Sequence, residues 1–108
     1  MEYINKVEIQ GEIGKGLHIN KSEDKFFAII PVITQEEFVV DGETIYDVVW
    51  HKVDAVSSND IPKVIFESLQ SGKIINVRGK LKAKRYEDGD GISVYQTYIV
   101  ASKIEIIK

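Results

Sequence analysis

Alternation with a period of two runs through most of this chain, and that pattern leaves room for little but a β-sheet. Val7, Ile9, Gly11 and Ile13 alternate with Lys6, Glu8, Gln10 and Glu12, which only an extended strand with one solvated face can sort. The segment Lys25 to Ile33 is apolar on both faces, as a central or covered strand requires; its Pro31 lacks an N–H, so an edge or a bulge is expected there. Asp41-Gly42, between β-branched flanks, marks a hairpin turn. Ile45 to Val56 follows, with Tyr46, Val48, Trp50 and Lys52 on one face and Val49, His51, Val53 and Ala55 on the other.

One stretch breaks the pattern. In "SSNDIPKVIFESLQSG" Asn59 or Asp60 is the expected N-cap, Pro62 belongs in the first turn, and Gly72 follows the end. Ile61, Val64, Ile65 and Leu69 form the expected apolar stripe of this helix. Two more strands follow, Ile74 to Lys84 and Ser93 to Val100, and Ile104 and Ile106 extend the sheet. Three strands, one helix, two strands is the order of an all-β, five-stranded Greek-key OB-fold barrel with one short α-helix between strands 3 and 4. At 108 residues and 44% apolar composition, residues 1–108 suit a single domain with its own core.

Composition excludes several classes. The chain has no cysteine, hence no disulfide and no thiolate metal site, which is compatible with a reducing compartment. Its longest apolar run, "FFAIIPVI", is far too short to span a membrane, and "MEYINKVEIQ" lacks the features of a signal peptide. A cytoplasmic protein without a membrane partner is expected.

Charge distribution says more than net charge. The chain totals −3, with 14 basic and 17 acidic side chains, yet Arg78, Lys80, Lys82, Lys84 and Arg85 fall within the nine residues Arg78 to Tyr86. On a strand Arg78, Lys80, Lys82 and Lys84 share one face, about 6–7 Å apart. That spacing suits the phosphates of an extended single strand. It also suits a solvated face guarded by lysines against edge pairing. Single-strand binders add exposed aromatics on which bases stack, and three candidates stand near these cations. Tyr86 closes the basic row, Trp50 shares a face with Lys52, and Phe38 sits on the acidic hairpin.

No catalytic or metal constellation emerges. "GEIGKG" lacks the spacing and the final Ser/Thr of a phosphate loop and precedes a strand. "DGDG" lacks the later glutamate of a calcium loop and reads as a turn. His18 and His51 form no metal motif. His51 points with Val49 and Val53, as a core or subunit-interface residue would. Neither an enzyme nor a cofactor is expected.

"NKVEIQGEIG", "WHKV", "LQSGKIINVRGKLKAKRYED" and "YQTYIVA" resemble, in order, the core of bacterial single-stranded DNA-binding proteins. The resemblance implies a homo-oligomer, commonly a tetramer and otherwise a dimer, that coats single-stranded DNA without sequence preference. It implies work in replication, recombination and repair at the bacterial nucleoid. By position it implies base stacking on Trp50, Tyr86 and Phe38, and phosphate contacts from Lys6, Lys52, Lys82, Lys84 and Arg85, to which the basic row adds Arg78 and Lys80. It also implies a subunit contact at His51.

The chain departs from that family pattern in three ways. Val56 stands where a further stacking aromatic is usual. Five acids and no cation lie between Pro31 and Trp50. The sequence ends at Lys108 without the acidic tail that recruits partner enzymes, so tail-mediated recruitment is not expected. The acidic hairpin keeps a second reading open: an OB-fold interaction module of a replication-restart complex. A glycan-binding barrel gains nothing from a row of cations.

Overall fold

The computed structural model describes residues 2–108. Its strands are β1 (Val7–Ile13), β2 (His18–Ser22), β3 (Lys25–Val40), β4 (Glu43–Val56), β5 (Ile74–Glu87) and β6 (Ser93–Ile106), with α1 (Lys63–Ser68) between β4 and β5. β1 pairs antiparallel with β5 and, at its end, with β3; β3 pairs with β4, β4 runs parallel to β6, and β6 pairs with β5. These pairings close a five-stranded ring, the expected OB barrel. β2 continues β1 past a corner and lies on the outer edge of β3, so β1 and β2 are two halves of one bent first strand.

Gly16 makes that corner with a φ of +102°, a region costly for other residues. The corner is tied to its surroundings. The Gly14 N–H donates to the Pro31 carbonyl, and Ser71 Oγ donates to the Gly14 carbonyl at 2.9 Å. A strand residue points its N–H and C=O to the same edge, so Pro31 turns its missing donor toward the gap between β1 and β2. The expected irregularity at Pro31 lies in its neighbour, the bent first strand.

Inside the ring, Ile13, Ile30, Val32, Val53, Ile75 and Val77 are fully buried. The helix plugs one end and is shorter than the sequence pattern suggests. Pro62 is its N-cap and makes no side-chain capping bond, whereas Ser58 Oγ accepts from the Ile61 N–H before the helix begins. Ile61 and Leu69 are buried as expected, but Val64 is exposed, and Phe66 fills the inward position, stacked on Phe26 with centroids 5.6 Å apart. A six-residue helix has no stability of its own; the Phe66 plug holds it in place.

Two arms leave the same end of the barrel. β3 and β4 stay paired from Phe27↔Val56 out to Val40↔Glu43, so both strands run past the expected bounds at Ile33 and Ile45 to the Asp41-Gly42 turn. Asp41 and Gly42 turn it with φ of 51° and 79°, the left-handed pair of a type I′ turn. β5 and β6 form the second arm, interrupted only by a bulge opposite Arg78 and Gly79. Its tip is the "EDGDG" turn, where Asp88 Oδ1 accepts from the backbone N–H groups of Asp90 and Ile92. Asp88 thus serves the turn, as the sequence suggests.

The barrel closes tightly over Gly79, where an added Cβ would lie 2.0 Å from the Val100 carbonyl oxygen. Gly79→Ala is expected to lower stability by about 1–3 kcal/mol, read as a lower urea midpoint at unchanged m-value. Gly89→Ala, with nothing within 4 Å of its Cβ, should stay within about 0.5 kcal/mol of the parent.

Candidate nucleic-acid interface

Directly paired strand residues share a face, so the registers sort every side chain of β2 to β6. The outer face of the barrel is a grid built on rows that cross the strands. One row runs Ile33–Trp50 and the next Pro31–Lys52, continued by Tyr98 and Lys82. A third runs His18–Ile29–Asp54–Val100–Lys80, and a fourth Asn20–Phe27–Val56. Trp50 is 58% exposed, so it lies open on the face. Its ring also packs against the corner, where an added Cβ on Gly14 would lie 2.6 Å from Trp50 Cζ3. A glycine there lets the indole lie flat on the backbone, which fixes its position.

Tyr98 is the hub between the two arms, and no sequence pattern singles it out. Lys52 Nζ and Lys84 Nζ lie 5.6 and 5.5 Å from its ring centroid, within cation–π reach. Two cations from different strands are thereby gathered beside one aromatic. A cleft of about 180 Å³ in the fork of the arms is lined in part by Trp50, Lys52, Leu81 and Tyr98. Lys80, Lys82 and Lys84 continue along one face of β5 to Tyr86, which is 50% exposed. The expected basic row is therefore present, and it is aligned with Trp50 across the sheet.

The five acids of the β3–β4 arm acquire a meaning from the same register. Glu36, Glu43 and Asp47 lie on the face opposite Trp50, Asp41 is in the turn, and only Glu37 shares the face of Trp50 and Tyr46. Tyr46, 56% exposed, extends the aromatic surface along the arm. Phe38 is 47% exposed but pairs with Ile45 on the acidic face, so it is not brought together with Trp50 and Tyr86. Val56 lies directly opposite Phe27, an exposed aromatic on the neighbouring strand. Phe27 thus supplies a ring where Val56 has none, a substitution visible only once the register is known.

The remaining cations occupy different settings. Arg78 Nε donates to Glu8 Oε2 at 3.2 Å, beside a bond from Asn76 Nδ2 to the same oxygen. The Asn76 hydrogen bond, the Arg78 hydrogen bond and the Arg78 charge hold the Glu8 carboxyl below the usual carboxylate range. Arg85 lies on the other face of β5 from Lys84, and its Nη2 donates to Ser93 Oγ at 2.8 Å. Lys6 precedes β1 and is exposed, next to Asn5, whose side chain pairs with both the N–H and the C=O of Leu81. His51 Nε2 lies 2.9 Å from Thr34 Oγ1, on the inner face with Val49 and Val53. Among the described residues no group of His, Cys, Asp and Glu is placed to hold a metal ion.

Residues 4–107 match the model of the single-strand binding protein family. Among solved structures the fold is similar to that of the Plasmodium falciparum SSB complex with ssDNA, at a TM-score of 0.82 and 18% identity. The alignment covers 100% of this chain and 98% of that one.

The Glu8 carboxyl is depressed, so its contribution to stability is present above the ordinary carboxylate range and is lost as pH falls through its lowered value. In an NMR titration Asn76→Ala and Arg78→Ala should each raise the Glu8 midpoint.

Proposed function

Because this chain belongs to the single-strand binding protein family, we propose that it binds single-stranded DNA on the outer face of its barrel. Binding requires no particular sequence and no catalysis. It protects exposed strands during replication, recombination and repair, in a cytoplasmic setting. No described helix is long and apolar enough to cross a membrane.

One observation carries the reading: Trp50, Tyr98, Tyr86 and the lysines Lys52, Lys82 and Lys84 share a face that the neighbouring arm keeps nearly free of acid. Stacking on such rings tolerates any base, and the lysines follow the backbone. Lys6, Lys80 and Arg85 lie on the flanks of this path, where they meet phosphates leaving it. Arg78, engaged by Glu8, must exchange that partner for a phosphate and so gives less. Phe38, on the far face of the arm, stacks a base only where the strand turns around the arm.

The proposed protein is a homo-oligomer, a tetramer or a dimer. Supporting this, β1 pairs with β5 along one edge and with β3 only at Glu12 and Ile13, so Val7 to Gln10 offers a free strand edge. Phe38, Ile45 and Val49 expose apolar area beside His51. That apolar, acidic face is also what favours the second reading, an interaction module in a restart complex.

Trp50 is the only tryptophan, so its fluorescence reports the site. Oligothymidylate is expected to quench it, and salt to reverse the quenching. For about five neutralised phosphates the slope of log K against log salt is about −3.5. Absence of both quenching and a mobility shift at low salt would favour the interaction module. Tyr86→Ala should cost about 1–3 kcal/mol of binding. Arg78→Ala should cost less than Lys84→Ala, and Phe38→Ala should matter only for oligonucleotides long enough to wrap the arm.

A further inference from the structure

Apolar surface on the outer face does not stop at Trp50. Phe27, Ile29 and Val56 are 41%, 43% and 41% exposed. Phe27 is paired with Val56, and Ile29 lies two residues further along β3 on the same face. Uncovered apolar neighbours of this kind mark a contact surface. Two clefts of about 260 Å³ each open on them. One lies among Lys15, Pro31, Trp50 and Lys52, the other among His18, Asn20, Phe27 and Val56, and Ile29 lines both. Ile29 therefore joins them into one groove that starts at the Trp50 ring and ends at the Phe27 ring.

The groove suits bases better than phosphates. Ile29 and Pro31 give it an apolar floor. Asp54, which lines the Phe27 cleft, and Glu12, paired with Ile33 at the Trp50 end, repel phosphates from that floor. Cations stand at both ends. Lys15 and Lys52 line the Trp50 cleft, and exposed Lys25 lies two residues from Phe27 on the same face of β3. A strand in the groove thus turns its bases to the floor and its phosphates outward to the lysines. Beyond Phe27 the turn between β2 and β3 carries Glu23 and Asp24, so the favourable path ends there.

We infer that Phe27 is a further stacking platform, on which a base rests at the far end of the groove from Trp50. The inference rests on the single-stranded DNA reading and extends its path toward β2. Val56, the residue beside Phe27, lies six positions along β4 from Trp50, a distance of about 20 Å. That is about three of the 6–7 Å steps that suit an extended strand, so the base on Phe27 is the third beyond the one on Trp50. A phenyl ring stacks any base, so this platform raises affinity and leaves sequence indifference intact. The base also covers apolar area that otherwise meets water.

The test titrates the full chain and its Phe27→Ala variant with one oligothymidylate, by fluorescence anisotropy at one salt concentration. The variant should bind about five- to a hundredfold more weakly. Adding Val56→Phe to Phe27→Ala moves the ring across to the paired residue and should restore most of the loss, which a mere packing defect would not allow. A Trp50→Phe/Phe27→Trp protein carries its only tryptophan at position 27. Its fluorescence should be quenched by the same oligonucleotide, a readout that stands even if Phe27→Ala does not fold. If the parent binds but Phe27→Ala binds equally well, the loss persists with Val56→Phe, or the tryptophan reporter is not quenched, the Phe27 platform is overturned while single-strand binding stands. If the parent does not bind the oligonucleotide, the DNA reading fails and the platform with it.

Discussion

The unbroken pairing of β3 with β4 is the constraint on which the rest depends. From Phe27↔Val56 to Val40↔Glu43 no residue is inserted on either strand, so period-two alternation holds from barrel to arm tip. A one-residue slip would send every side chain to the opposite face. Trp50 and Lys52 would turn inward, and Glu36, Glu43 and Asp47 would come to lie beside the basic row. The register is pinned by Ile30, Val32, Val53 and Ala55, which are buried in the core, and by the Asp41-Gly42 turn at the far end. Core packing and electrostatic sorting are thus consequences of one ladder.

That sorting explains how an acidic chain presents a cationic surface. Charges separated by more than about 8–10 Å are largely screened at physiological salt, so a polyanion responds to the local face more than to the total of −3. Lys52, Lys82 and Lys84 are gathered around Tyr98, and most acids of the first arm occupy its other side.

Much of this was legible in the sequence, because strand alternation is a local signal. The barrel order, the Asp41-Gly42 turn, the alignment of Lys80, Lys82 and Lys84, and the shared face of Trp50 and Lys52 all follow from spacing alone. Features that depend on pairing partners were not legible. Phe27 stands opposite Val56, and Tyr98 lies between Lys52 and Lys84, only because of registers fixed by distant residues. The helix shows the same limit: its spacing suggests Val64 as a core residue, but the geometry of the plug places Phe66 inside and Val64 in solvent. Alternation suggests strands that end at Ile33 and resume at Ile45, yet cross-strand pairing carries the ladder on through the acids of the first arm to Val40 and Glu43.

The most direct test of the central claim is a residue-by-residue footprint. Amide chemical shifts of the full chain, recorded with and without a short single-stranded oligonucleotide, locate the contact surface. The largest changes are expected along Phe27 to Ile33, Trp50 to Val56, Lys80 to Tyr86 and Tyr98, with little change in Lys63 to Ser68 or in the Glu36 and Asp47 amides. Changes concentrated on the helix and the acidic face of the first arm, with the Trp50 and Tyr98 region silent, would contradict the account.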